Sequence, residues 1–427
     1  MKRLCLLLLL ALPLSLRAQE STFTVSADYL TGGEFRVGGL SVSETGEAGH
    51  ARFLLSRTRL VADYNKSWLS ARLSAQHAGT WGSSEASTLS MNEAWVHMPS
   101  EKGFFAKIGR HPLSYDDQRI FGADDWSMTG LSHDVLKTGF EGGGHKVHLF
   151  CAYNQNIANM SQGGTRYTGT LQPYKSMIGG WYHFDVPKLP LGLSLLFVDM
   201  GLQSVLEEEG ANATFFEKQA GGFLSVHPKW FTLEAAYYHQ WGQDRMGIPV
   251  DAWMASGKGT VTLDSKWSVR AGYDYLSGEE NFAAPPFGQI GLTHHEVVRG
   301  FSSLYGSNHN FYGAMDFFYV KTYVYGFTPG LQNLYAGLTW KPGKLTLDAA
   351  YHYFATSAPI ENALKALGQE VEVSATWAVG KEISLSAGYS FMQGTETMSR
   401  LKRTADNNRL SWAWLMLQVT PKFFSTR

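Results

Sequence analysis

Two stretches of this chain place side chains where they could do chemistry together. Tyr115-Asp116-Asp117-Gln118-Arg119 is followed closely by Asp124-Asp125-Trp126. Carboxylates so spaced in a loop can bind Ca2+ through oxygen ligands, which would involve Asp116, Asp117, Asp124 and Asp125. They can also serve as general acid and base. A third reading is a loop folded into a polar interior, where the carboxylates hold arginines and Asp116, Asp117 and Arg119 set selectivity by charge. His294-His295-Glu296 has the residue types of a metalloprotease site, but not two histidines one helical turn apart. Ser307-Asn308-His309 lacks a positioned third member and reads as loop hydrogen bonding. Gly142-Gly143-Gly144 does not lead from a strand into a helix and reads as a turn. Asn212-Ala213-Thr214 matches a glycosylation sequon that carries little weight in a chain of bacterial character. No catalytic constellation and no cofactor are expected.

The elements that position these residues follow from composition. The chain has 427 residues, 14% of them aromatic and 17% charged, with 45 Gly. A single soluble core normally splits into domains beyond roughly 250 to 300 residues, which makes two domains the naive expectation. The aromatic content excludes disorder, and no apolar run approaches the roughly 18 residues of a membrane-spanning helix. A Gly- and aromatic-rich β protein remains.

Residues 1–18 are a separate object. Lys2 and Arg3 precede the apolar run 4–14, and Ala18 follows Leu16-Arg17 at a plausible cleavage point, the layout of a secretory signal peptide. Its removal takes away Lys2, Arg3 and Arg17 and moves the formal net charge from -1 to -4. Of the 2 cysteines, Cys5 leaves with it and Cys151 stays, so no disulfide framework is expected in residues 19–427.

Along the rest of the chain the pattern is strand, turn, strand, loop. In 22–30 Phe23, Val25, Ala27 and Tyr29 share one face, and Thr22, Thr24, Ser26 and Asp28 the other. In 54–64 Leu54, Leu60, Ala62 and Tyr64 lie opposite Arg57, Arg59 and Asp63. Comparable runs are 69–76, 93–98, 104–110, 135–141, 147–153, 177–184, 192–200, 220–226, 231–240, 252–263, 267–276, 331–340, 345–354, 370–379, 383–391 and 409–419. The tally is about eighteen, within the even-numbered range of bacterial outer-membrane barrels. Connections alternate between tight ones, such as 99–103, 142–146 and 341–344, and long ones, such as 112–134, 155–174 and 278–330. Short turns at one rim and long loops at the other are the mark of a transmembrane antiparallel β-barrel. One all-β domain over 19–427 is therefore expected, working as a monomer in the bacterial cell outer membrane among lipid and lipopolysaccharide, with no nucleic-acid partner. Trp68, Trp95, Trp181, Trp230, Trp267, Trp340, Trp377, Trp412 and Trp414 fall mostly near strand ends and read as interfacial girdles.

In such a barrel a lipid-facing arginine costs about 2 to 4 kcal/mol at mid-bilayer, so strand arginines belong in the lumen. Arg57, Arg59, Arg72, Lys107, Arg110 and Arg119 are the candidate pore-lining cations, with Arg270 and Arg299 as later ones. Rings of such cations favour anions. Alternatively they pair with Asp63, Glu93, Asp116 and Asp117 in a ladder that stiffens the wall. A barrel-based enzyme and a plugged receptor or adhesin are the competing functions.

The segment KIGRHPLSYDDQRIFGADDWSMTGLSHD, residues 107–134, resembles the signature region of the alginate-export family of outer-membrane β-barrels. FSSLYGSNHNFYGAMDFFYV, residues 301–320, resembles the long late loop of the family's members in Bacteroidetes-type bacteria. The resemblance implies an eighteen-stranded porin-like barrel acting as a passive pore for anionic or saccharide solutes such as alginate-like oligosaccharides. It also implies a final strand read by barrel-assembly machinery. Phe424 would be its terminal aromatic, with Ser425, Thr426 and Arg427 dangling beyond it.

Overall fold

The computed structural model of the chain describes residues 21–38, 50–83, 87–169, 173–205, 213–279, 282–283, 296–318, 328–402 and 409–426. The expected signal peptide, His294, His295, Asn212 and Arg427 lie outside the described residues. Eighteen antiparallel strands form the wall: β1 Thr22–Val37, β2 His50–Lys66, β3 Leu69–Thr80, β4 Thr88–Pro99, β5 Phe104–His111 and β6 His133–Gly142. They continue as β7 His145–Tyr153, β8 Ser176–Asp185, β9 Leu191–Gln203, β10 Thr214–Val226, β11 Phe231–Gln243 and β12 Pro249–Thr262. The last six are β13 Trp267–Leu276, β14 Leu331–Trp340, β15 Leu345–Ala355, β16 Ala366–Ala378, β17 Ile383–Gly394 and β18 Arg409–Val419. Each strand pairs with its sequence neighbours, and β1 also pairs with β18, from Tyr29 opposite Val419 to Val37 opposite Ser411. Closure removes the sheet edges, so the strands satisfy one another's backbone groups with no help from solvent.

Side-chain alternation sorts the wall into two surfaces. Arg59 is 6% exposed while Leu60, the next residue, is 55% exposed. With Leu73, Leu149, Leu195, Val371 and Leu415 also bare, the exposed face is an apolar outer wall. The buried set lies inside the ring, where Phe150, Trp181, Val198, Met200, Met254 and Trp412 pack against loop residues. Residues 143–144, 227–230 and 341–344 make tight turns at one rim, and the described parts of the long connections 112–132, 154–175 and 277–330 gather at the other.

Two expectations need correction. Trp230, Trp267, Trp340 and Trp377 lie on the outer wall or its turn-side rim, and Trp267 stacks on Trp340 at 5.1 Å. Trp95, Trp181, Trp412 and Trp414, however, project inward, because their strand parity places them beside Glu93, Asp116, Glu34 and Trp126. An interior wide enough to take loops also takes aromatic rings. At the carboxyl end, β18 resumes after Pro421 as Lys422–Ser425, which pairs with β1 across a bulge at Val25 and Ser26. Ser425 and Thr426 do not dangle: the Thr426 N–H donates to the Phe23 carbonyl at 2.9 Å, and Ser425 lies opposite Thr24.

Candidate pore constriction

The connection between β5 and β6, residues 112–132, folds into the lumen because it carries its own apolar anchors. Leu113, Ile120 and Phe121 are almost fully buried there, and Tyr115 stacks on Trp181 at 4.8 Å. The chain reverses sharply at Asp116, Gln118 and Asp124, which hold positive φ angles of 52°, 67° and 45°. Aspartate tolerates that region better than most residues, since its carboxylate can bond its own backbone. Asp117, between the first two of these residues, fixes the turn from its own position by accepting from the Arg119 N–H at 3.2 Å.

Polar contacts then tie this loop to the wall. Arg57 on β2 donates to the Asp28 carboxylate on β1 at 2.7 Å and to the loop carbonyls of Asp125 and Ser127 at 2.9 and 3.0 Å. Arg59 donates to the Gln76 side chain at 2.8 Å and pairs with the Asp125 carboxylate. Gln76 in turn donates to the Thr129 carbonyl at 2.8 Å. Arg57 and Arg59 are therefore latches rather than bare pore cations.

A second loop segment, residues 296–318, meets the first inside the barrel. Phe121 and Tyr305 form a parallel bridge. Gly122 N–H donates to the Tyr305 carbonyl at 2.9 Å, and Ser307 N–H to the Gln118 carbonyl at 2.9 Å. Arg119, 3% exposed, bridges the two loops and the wall: it pairs with Asp117 at 2.8 Å and with Asp274 on β13 at 2.9 Å, beneath the Phe311 ring. Trp126 stacks flat on His309 at 4.6 Å. The wall also holds the second loop directly, through Glu370 and Glu372 on β16, which accept from Met315 and Ala314 N–H at 3.0 and 2.9 Å. Ser307 Oγ accepts from Asp124 N–H, whereas His309 bonds Asp316, so the two point to different partners and form no dyad.

The remaining candidate residues separate by position. Arg72 pairs with Asp63 at 2.7 Å and Glu93 at 3.2 Å, as the ladder reading expects. With Asp28, Arg59 and Asp125 they line a cavity of about 370 Å³. Lys107 faces the lumen 3.7 Å over the Trp95 ring. Arg110 does not line the pore: it shares strand parity with exposed Phe104 and Ile108 and pairs with Asp134 at 2.5 Å near the loop-side rim. Asp116 holds no arginine; it accepts from Trp181 Nε1 at 3.1 Å and Ser194 Oγ at 2.5 Å. Asp117 serves Arg119 and Asp125 serves Arg59, so these three loop carboxylates have separate tasks. Arg270 is held by Asp348 at 2.6 Å, and Arg299 by Asp251 at 3.3 Å. Sequence reasoning missed Asp28, Gln76, Asp274 and Lys137. The register could have supplied Asp28, which lies directly opposite Arg59; Asp274, reached only through a loop, left no signal.

Burial pushes the Asp116 carboxyl above its usual value of 3.8, against the Ser194 and Trp181 bonds that favour the anion. A carboxyl raised in the folded state contributes stability below 3.8 that is lost as pH rises through the raised value. Asp116→Asn removes that titration. It should flatten the fall in unfolding midpoint across this window and leave the midpoint at pH 7 no lower than that of the parent. A fall unchanged from the parent would refute the assignment.

No known family model matches the chain, and no characterised protein matches it in sequence. Solved structures do. Pseudomonas aeruginosa OccK11 (OpdR) is similar with a TM-score of 0.62 at 11% identity, over 94% of this chain and 96% of that one. Acinetobacter baumannii OccAB1 is similar with a TM-score of 0.61 at 11% identity, over 94% and 97%. Pseudomonas aeruginosa OccK2 (OpdF) in complex with glucuronate gives 0.60 at 11% identity, over 94% and 98%. These neighbours are outer-membrane porins with eighteen-stranded barrels, and the likeness is one of fold.

Proposed function

We propose that the chain is a passive channel in the outer membrane of a Gram-negative bacterium, admitting small anionic or sugar-like solutes. The observation that carries this reading is a closed barrel with an apolar outside and a charged inside, narrowed by two loops tied to its wall. A soluble protein would not bare Leu60, Leu73, Leu195 and Leu415 around its whole girth. The fold shared with porins supports the same reading, and so does the sugar acid bound in one of them. In this reading residues 1–18 direct export and are removed, barrel-assembly machinery inserts the chain, and lipid and lipopolysaccharide surround it. Acidic oligosaccharides of the alginate type are among the admitted solutes. The protein performs no covalent chemistry.

Selectivity follows from which charges are already spent. Arg57, Arg59, Arg72 and Arg119 each carry a carboxylate partner, which dilutes their pull on a passing anion. Lys107 and Lys137 lie instead over aromatic rings and dominate the turn-side half of the passage. Planar-bilayer recording in a salt gradient should therefore show open channels with a modest anion preference. A cation preference would contradict the proposal. The interlocked loops favour one alternative, a plugged receptor, and complete absence of conductance would select it.

A further inference from the structure

His111 ends β5 and His133 begins β6, so the two histidines bracket residues 112–132, the segment that narrows the lumen. They are directly opposite partners in the ladder, and both are 0% exposed. Each ring spends one nitrogen on a neutral partner. His111 Nδ1 donates to the Pro112 carbonyl at 3.0 Å, and His133 Nδ1 bonds the Tyr174 hydroxyl at 2.9 Å. Both Nε2 atoms are buried without a hydrogen-bond partner. A neutral imidazole tolerates that placement. An imidazolium does not, because its charge and its second N–H would both be stranded away from water.

The surroundings offer an added proton little compensation. Farther along the same two strands, Lys107 and Lys137 face the same interior and bring like charge. Asp134, beside His133 in the chain, projects outward and is held by Arg110. On β4, Glu93 lies one residue beyond the last pair with β5, Ala94 opposite Arg110, and is turned to Arg72 and to Trp95 Nε1. Tyr174 and the second loop's Tyr305, edge-on to His133 at 5.1 Å, bring neutral phenols, and Phe121 closes the set at 5.9 Å. The loop's own Asp116, Asp117 and Asp125 are engaged by Trp181 and Ser194, by Arg119 and by Arg59.

We propose that His111 and His133 make the constriction acid-sensitive: a proton on either ring, at the roots of 112–132, favours a form in which the strand ends part and the loop lifts from the lumen below about pH 6. The closed form holds both imidazoles neutral, so its advantage is full at high pH and is lost as pH falls through the range where a hydrated imidazole charges. Other groups at the loop act in the opposite sense. Burial favours the protonated form of Asp116 in the folded loop. His148 and His309 each already face a carboxylate, Glu141 and Asp316, so charging them tightens the loop. Opening on acidification therefore singles out the pair at the roots. The inference rests on the reading of 112–132 as the constriction, and its readout does not require that the channel conduct.

Amide hydrogen exchange of the full-length barrel in detergent, expressed as protection relative to the unprotected rate at each pH, reads the open population. An imidazole that takes up a proton only in the open form, at its ordinary value of about 6.5, raises the ratio of open to closed about 30-fold between pH 8 and pH 5. Protection within 112–132 should fall by about that factor or more, while the wall strands β9 to β12 keep theirs. His111→Asn/His133→Asn retains a donor for Pro112 and Tyr174 but cannot titrate, and its protection should be the same at both pH values. His133→Asn alone, which serves if the double variant does not fold, should keep only the fall due to one ring. No fall in the parent, an equal fall in the substituted barrels, or a fall shared by the wall overturns the proposal. A barrel that conducts in bilayers while its protection ignores pH overturns the switch and leaves the channel. Acid-dependent loss of protection without conductance supports the switch and removes the channel reading.

Discussion

Arg119→Met is expected to lower the unfolding free energy of the barrel by roughly 3 to 5 kcal/mol, the usual cost of removing one partner from a buried ion pair. Methionine keeps the apolar stem but ends two bonds short of the guanidinium, so the variant loses the contact beneath Phe311 together with the ion pairs, and the second substitution below separates the ionic part. The loss strands Asp274, which is 0% exposed and keeps only the Asn333 amide at 2.9 Å. Adding Asp274→Asn removes the stranded charge, and the double variant should regain most of the loss. Denaturant unfolding in micelles, followed through the 13 tryptophans, reads both values. If the double variant is as unstable as Arg119→Met, the coupling between loop and wall is not ionic.

Gly306→Ala is expected to part the two loops without disturbing the wall. A Cβ at Gly306 would lie 2.0 Å from the Arg119 carbonyl oxygen, a backbone atom that cannot turn away. The inter-loop bonds of Gly122, Tyr305 and Ser307 would stretch together. At about 1 kcal/mol net for each bond, the junction loses roughly 2 to 3 kcal/mol. The open population then rises roughly 30- to 150-fold, and protease cleavage within 112–132 and 296–318 should accelerate in that range. Channel conductance should rise with it. Unchanged cleavage would show that the wall contacts at Arg57, Glu370 and Glu372 hold the loops by themselves.

The barrel was legible because its information is local. Alternation of period two, punctuated by turns of alternating length, located all eighteen strands, and each strand contributes nearly the same pattern whatever its partner. The inward placement of Arg57, Arg59 and Arg72 followed from the same parity. Partner choice was less accessible, since it depends on register and on where a loop lands. Asp63 and Glu93 were among the carboxylates weighed as partners for the arginines as a group, and they share or adjoin the hairpin of Arg72, which they hold. Asp125 and Asp274 were not, because their contacts close across 66 and 155 residues of chain respectively through the folded loop. Arg110 was misplaced for a different reason: it sits at the end of its strand, where a charged residue on the outer face meets water instead of lipid and parity no longer decides cost. The inward tryptophans escaped detection because an aromatic near a strand end fits a girdle and a lumen equally well until parity is checked against its neighbours.

The seam between the first and last strands fixes an order of events. Phe23 and Val25 find their partners in Thr426 and Phe424, about 400 positions away along the chain. No shorter nascent segment can complete the sheet, so during synthesis β1 waits with an open edge while every other strand is made. Closure is consequently the step of longest sequence separation and the one most exposed to rival pairings. Shedding the last few residues would leave β1 partly unpaired at the point where the ring must join.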